Sequence, residues 1–435
     1  MGKGQDFWKR AKKVIPGGNM LLSKRAEIFL PELWPSYFSK AKGCYIWDLD
    51  GKRLLDMNLM GVGTNILGYG NNKVDNAVRK NINFGNISSL NCIEEVLLAE
   101  KLIEMHPWAK MAKFTRTGGE ANSVAIRIAR AATGKDKVAV CGYHGWHDWY
   151  LAANLKEKSQ LNTHLLPGLE PVGVPKELIN TIFTFEYNDI DSLNEIVNNN
   201  ELAAIKMEVE RNLPPEKDFL NKVKKICQEK NILLIFDECT SGFRETYGGL
   251  HLKYGINPDL AIFSKALGNG YAICSIIGTE SVMEYAQSTF ISSTFWTERI
   301  GPTAALKTLE VMKNLKSWEI ISEKGKYIKS KWAEIASNNN LKINIFGISA
   351  LPSFIFDSPN FLKYKTFITQ EMLKKNFLAS NACYLSIAHK KQFIDNYLDL
   401  LNDIFSKIHM IESNDEDIED YLEYGICQSG FKRLN

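Results

Sequence analysis

A chain of 435 residues with 45% hydrophobic and 11% aromatic content can bury a large core, which excludes a disordered protein and makes more than one domain the expectation. The formal net charge is +3, from 53 Lys and Arg against 50 Asp and Glu spread along the chain. No basic footprint of the nucleic-acid-binding kind arises, so small-molecule chemistry is the class to test first.

In chain order, "MGKGQDFWKRAKKVIPGG" is charged and lacks a signal-peptide core, and Asp6 stands against a myristoyl anchor. No later run reaches the ~18 apolar residues that span a bilayer, so the expected location is cytoplasmic, with no membrane partner. Residues 1–50 are expected to pack with a smaller domain, and "KGCYIWDLDGKRLLDMN" predicts a hairpin turned at Asp50-Gly51. Residues 51–300 form the expected large domain. There "MAKFT", "KVAVCGY", "LAAIKME", "ILLIFD", "DLAIFS" and "AICSIIG" read as strands, and "GEANSVAIRIARAATG" as a helix closed by glycine. Short apolar runs alternating with amphipathic ones predict an α/β fold with a mostly parallel sheet covered by helices. Residues 301–435 form the expected small α+β domain, with short strands in "INIFGIS" and "LPSFIFDS", a helix from Lys390 to about His409, and a solvated acidic stretch, "ESNDEDIEDYLE".

The eight cysteines are scattered without a C-x-x-C pair and read as reduced thiols. His144 and His147 lie three apart with no further ligand beside them, so no metal is expected.

Four features carry chemistry. Thr117, Gly118 and Gly119 stand between a strand and a helix, where backbone N–H groups and the helix dipole favour a phosphate; a capped turn has the same pattern. Tyr143 can lay its ring on a flat cofactor or pack in the core. Asp237 ends an apolar strand, facing a ligand or capping the next turn. Lys265 ends the next strand, 28 positions on, as a nucleophile or a solvated lysine. An acid and an amine at one sheet edge, with an anion cradle, jointly suit pyridoxal phosphate: the lysine forms a Schiff base and the carboxylate keeps the pyridine nitrogen protonated. No G-x-G-x-x-G follows a strand, which stands against a nicotinamide oxidoreductase.

"IPGGN", "AKGCYIWDLDGKRLLDMN", "GGEANSVAIRIARAATGKDKV", "GYHGWHD", "LLIFDECTSGFR" and "PDLAIFSKALGNGY" together resemble the class III (subgroup II) aminotransferases of pyridoxal phosphate fold type I, in the branch of glutamate-1-semialdehyde aminomutase. The resemblance implies a seven-stranded large-domain sheet, Lys265 as the Schiff-base lysine and Asp237 as partner of the ring nitrogen. It implies that Thr117, Gly118 and Gly119 hold the phosphate, that Tyr143 and Cys239 lie against the ring, and that Glu208 sits near the cofactor face. Thr294 matches a threonine donated to the neighbouring subunit's phosphate, which implies an obligate homodimer with shared active sites.

Departures from the family pattern include Thr117-Gly118-Gly119 for a Ser-Gly-Thr cradle, Cys239 for an aliphatic residue and Val209 for a proline. On the substrate side "WTER" brings Trp296, Glu298 and Arg299 to the expected mouth, while "ASNACYLSIAHK" has no counterpart of the aminomutase's active-site glutamate. The expected function is an aminotransferase moving an amino group from an amino acid to a small aldehyde or ketone. Trp34, Trp146, Trp149 and Trp296, with Arg211, Glu298 and Arg299, suit a sugar-derived carbonyl. The alternatives are an intramolecular aminomutase and a noncatalytic cofactor-binding protein.

Overall fold

The computed structural model describes residues 2–164, 167–432 and 434. Backbone contacts divide the chain into two compact units, Met1–Asn71 with Glu319–Asn435, and Asn72–Trp318. The sequence reading drew its lines at 50 and 300.

The first unit opens with a helix, Lys3–Val14, and then three antiparallel strands, β1 (Phe38–Lys42), β2 (Tyr45–Asp48) and β3 (Arg53–Asp56). The turn between β2 and β3 forms because Gly51 takes φ +84° while Asp48 Oδ1 accepts the amides of Asp50 and Lys52.

The second unit is built on seven strands: β4 (Met111–Thr115), β5 (Lys137–Cys141), β6 (Ile182–Thr184), β7 (Leu202–Met207), β8 (Leu233–Glu238), β9 (Leu260–Phe263) and β10 (Cys274–Gly278). They lie in the order β4-β10-β9-β8-β7-β5-β6, with β10 antiparallel to both neighbours and every other pair parallel. This is the mostly parallel seven-stranded sheet of the pyridoxal phosphate fold type I. The six strands read from sequence are all present; β6, three residues at the sheet edge, is too short to give a pattern. Strands β5, β7, β8 and β9 are mostly apolar and almost wholly buried because helices cover both faces of such a sheet.

Register sets the site. Across the sheet Thr115 pairs with Cys274, Ser275 with Phe263, Phe263 with Glu238, Phe236 with Met207, and Met207 with Cys141. The carboxyl ends of β4, β9, β8, β7 and β5 therefore share one edge, where open α/β sheets bind ligands.

Returning to the first unit, β11 (Ile343–Phe346) pairs antiparallel with β12 (Ser353–Phe356), and β13 (Phe377–Leu378) lies parallel to β3. The N-terminal and C-terminal stretches thus share one sheet. Trp332, Phe354, Phe356, Tyr397 and Phe405 fill the core beneath. The last long helix spans Lys391–Ser413. In the acidic stretch that follows, Asp417 and Glu419 pair with Lys363 while Ile418 is buried. Among the described residues, no helix is long and apolar enough to cross a membrane.

Candidate active site

The helix Gly118–Thr133 begins directly after β4 because Thr117 and Glu120 make a capping box: Glu120 N–H donates to Thr117 Oγ1, and Glu120 Oε2 accepts the amides of Thr117 and Arg116. Gly134, at φ +67°, ends it. The amides of Gly118 and Gly119 occupy the first turn, where N–H groups have no intrahelical acceptor. A Cβ on Gly118 would lie 3.4 Å from Cys239 Sγ and 3.9 Å from Ser264 Oγ, so the helix start abuts the chain leaving β8 and β9. A Cβ on Gly119 would come within 2.6 Å of His147 Cε1, and one on Gly145 within 3.2 Å of Gly119 Cα. Small residues keep this cradle open.

Asp237, the penultimate residue of β8, is buried. Its Oδ1 accepts the Cys239 amide at 3.1 Å, and its Oδ2 lies 2.8 Å from His144 Nδ1 and 3.7 Å from Lys206 Nζ. Burial opposes ionisation, but the Lys206 charge and the His144 hydrogen bond outweigh it and hold the carboxyl well below its usual range. An ionised Asp237 can only accept, so the shared proton sits on His144 Nδ1. Burial and the Lys206 charge lower the His144 pKa and keep the ring neutral, and its Nε2 has no hydrogen-bond partner among the described residues.

Lys265 follows β9 with φ +35°, a left-handed conformation that costs a non-glycine residue about 1–3 kcal/mol and gathers at functional sites. Its Nζ donates to Thr240 Oγ1 at 2.6 Å. Burial first, and the nearby Arg211 guanidinium second, lower its pKa to about 8. Arg211 Nη1 stands 3.3 and 3.4 Å from the Glu208 carboxylate oxygens. Glu208 Oε2 also accepts the Tyr143 amide at 3.3 Å, and it is admitted by Gly142, where a Cβ would sit 2.7 Å away. Tyr143 is half-buried, edge-on to Tyr150. Cys239 is a neutral thiol, its pKa raised by burial and by Asp237.

The sheet edge thus gathers Thr117, Gly118, Gly119, Tyr143, Glu208, Asp237, Cys239 and Lys265. Thr294 lies on an exposed turn, Thr294–Thr297. Trp296 packs against the core of the same unit. Glu298 pairs with Arg116 at 2.8 Å and accepts the amides of Ile300 and Gly301 at the start of the helix Ile300–Leu315. Trp149 is buried and donates to Ser123, and Trp34, in the first unit, stacks on Phe29. His144 and His147 part company: the first turns to Asp237, the second stacks on Trp146 at 4.3 Å.

Sequence reasoning missed His144, Lys206 and Thr240. The signal for Lys206 was present, since a lysine inside the apolar strand "LAAIKM" is buried on both sheet faces and demands a counter-charge. The residues fit pyridoxal phosphate: an anionic Asp237 for the ring nitrogen, a nucleophilic amine within the same edge, and a glycine-lined helix start for the phosphate.

Residues 32–372 match the family described as Aminotransferase class-III. The chain is 33% identical over 383 residues to the 3-aminobutyryl-CoA aminotransferase of Cloacimonas acidaminovorans, covering 85% of this chain and 87% of that protein. It is 29% identical to the glutamate-1-semialdehyde 2,1-aminomutase of Methanocaldococcus jannaschii, covering 93% and 98%. The FumI protein of Sphingopyxis sp. MTA144, solved as its PLP internal aldimine form, superposes with a TM-score of 0.85 at 24% identity, over 97% of this chain and 100% of that one, and attests the fold. The chain belongs to the class III aminotransferases and is a pyridoxal-phosphate-dependent transaminase.

Proposed function

We propose that the chain moves an amino group from an amino-acid donor to a separate small aldehyde or ketone. The observation that carries this reading is Arg211, set beside Glu208 and close enough to Lys265 to depress its pKa. A guanidinium at that place can take a substrate carboxylate in bidentate fashion and so hold the donor carbon beside Lys265 Nζ. Transfer between molecules is supported over an intramolecular shift by residues 379–390, "ASNACYLSIAHK", which contain no carboxylate, and by the relative named as 3-aminobutyryl-CoA aminotransferase. Trp146 and Trp296 border a cavity of about 650 Å³ with Glu120 and His147, a lining that suits a hydroxylated, sugar-derived carbonyl as acceptor.

Pyridoxal phosphate supplies an electron sink for the carbon that loses its proton. Asp237 would hold its ring nitrogen, Lys265 its aldehyde carbon, and Thr117, Gly118 and Gly119 its phosphate, with the Tyr143 ring and Cys239 packing against it. Lys265 Nζ would take the proton from the donor carbon and would serve as the acid that returns one. Burial, with Arg211, lowers the pKa of that amine to about 8, so it is neutral above that pH, and the Thr240 hydroxyl orients it.

A second copy of the chain is the partner we propose. Phe84, Leu90, Ile93, Val96 and Phe295 are exposed, and hydrogen bonds from Arg299 and Ile300 to Asn86 tie their two segments together. All eight cysteines are unpaired, which supports a reducing compartment such as the cytoplasm.

Absorbance spectra before and after L-glutamate test the proposal. The expected result is conversion of the visible band to a shorter wavelength with release of one 2-oxoglutarate per site. Efficient formation of 5-aminolevulinate from glutamate-1-semialdehyde without any added donor would overturn it in favour of the aminomutase.

A further inference from the structure

Lys206 has no part in the chemistry above, yet it is one of the largest fully buried side chains in the molecule. It lies in β7, paired in register with Val140 of β5 and Ile235 of β8. Those two neighbours belong to the apolar core packed against the Gly118–Thr133 helix, so the ammonium is set into hydrocarbon. Its Nζ makes no hydrogen bond among the described residues. At 3.7 Å, Asp237 Oδ2 is an ion-pair partner beyond hydrogen-bond reach, and the same oxygen already takes the His144 proton. The other ionisable groups around Lys206 are Cys239 beyond β8, Glu208 at the end of its own strand and His144 beyond β5.

An unbonded buried ammonium is costly unless something else recovers the cost. We propose that Lys206 is the counter-ion of Asp237 before the cofactor docks and yields that role to the protonated ring nitrogen afterwards. With the ring nitrogen in place, Asp237 faces a second cation. Lys206 then gives one proton to solvent and stays as a neutral amine, so the net buried charge is unchanged. Burial already lowers the Lys206 pKa, and its attraction to Asp237 is what opposes that shift. After docking the ring nitrogen takes over from the Lys206 charge, with His144 and the Cys239 amide, in keeping Asp237 ionised. Lys206 thereby sets how tightly Asp237 grips the cofactor; it is a positioning residue and does not touch the reacting atoms.

The test is calorimetric titration of the cofactor-free full-length protein with pyridoxal phosphate, in two buffers of different ionisation enthalpy at one pH. Wild type is expected to release about one proton more per site than Lys206→Met. Lys206→Met is expected to bind the cofactor about tenfold more tightly, since no resident cation competes. Lys206→Arg keeps a cation that cannot be shed. It is expected to lose the same proton release and to bind more weakly than wild type, an opposite sign that a purely structural defect does not produce. Should Lys206→Met fail to fold, wild type and Lys206→Arg carry the comparison. Equal proton counts in wild type and either folded variant overturn the exchange. The inference rests on Asp237 facing the ring nitrogen, which Asp237→Asn tests apart: undiminished cofactor affinity in that variant overturns the ring-nitrogen assignment itself.

Discussion

Lys265 is held in a left-handed backbone conformation with its amine on Thr240, and it loses basicity to burial and to Arg211. The pH consequence has a definite sign. Below its pKa of about 8 the residue is an ammonium and cannot attack the cofactor aldehyde. The rate of cofactor capture by the apo-protein should therefore rise about tenfold per pH unit up to that value and level off above it. Arg211→Gln removes a cation that favours the neutral amine and should move the midpoint upward. Burial is the larger cause and remains, so the midpoint should stay below that of a free lysine. Stopped-flow absorbance across pH 6 to 10, a span of about two units either side of the midpoint, measures both. An unmoved midpoint in Arg211→Gln would separate Arg211 from Lys265. The sequence could place Asp237 and Lys265 at one sheet edge because one stands near the end of an apolar strand and the other just past the end of the next. The burial of Lys206 could be read from its strand, but its partner could not, and His144 gave no signal, because their meaning lies in where two other strands bring them: on one carboxylate oxygen, from β7 and from the chain beyond β5.

At the scale of elements, six strands could be read because each is an apolar run closed by a polar residue or glycine, while β6 offers only "IFT". The order of the strands could not be read, and it is the order that turns separate motifs into a site. Interleaving β10 antiparallel between β4 and β9 brings the Gly118–Thr133 helix start beside Cys239 and Ser264. That helix start is the element most exposed to a small change. In Gly119→Ala the new methyl would stand 2.6 Å from His147 Cε1, so either His147 or the helix start must shift. Overpacking of this kind costs about 1–3 kcal/mol. The expected outcome is a lower apo-protein melting temperature together with a disproportionate loss of cofactor affinity, because the amides presented to the phosphate are displaced. Asp189→Ala removes a cap worth about 1 kcal/mol from the helix Ile190–Asn199, which contributes no residue to the cradle, and serves as the control for stability loss alone. Equal affinity losses per unit of stability lost in the two variants would deny Gly119 a special part in the cradle.

For the whole molecule, the exposed apolar side chains Phe84, Leu90, Ile93, Val96 and Phe295 are the surface on which the proposed second copy would pack. Phe295 lies in the same exposed turn as Thr294, and Asn86 is bonded to Arg299 and Ile300 just beyond it, so the face proposed for a second copy also presents the threonine proposed for the partner's phosphate. Assembly and cofactor binding should then be linked. Light scattering is expected to give twice the 49.3 kDa chain mass. Leu90→Asp places a charge on that face at a side chain that is 83% exposed, so the isolated fold should survive while the dimer does not. The same variant should lose cofactor affinity although Leu90 lies outside the sheet-edge site. Thr294→Ala should keep the dimer and lose affinity by a smaller factor, about that of one hydrogen bond to an anion. A monomeric Leu90→Asp protein that binds pyridoxal phosphate as tightly as wild type would show each site to be complete within one chain, and would leave the apolar face without a part in catalysis.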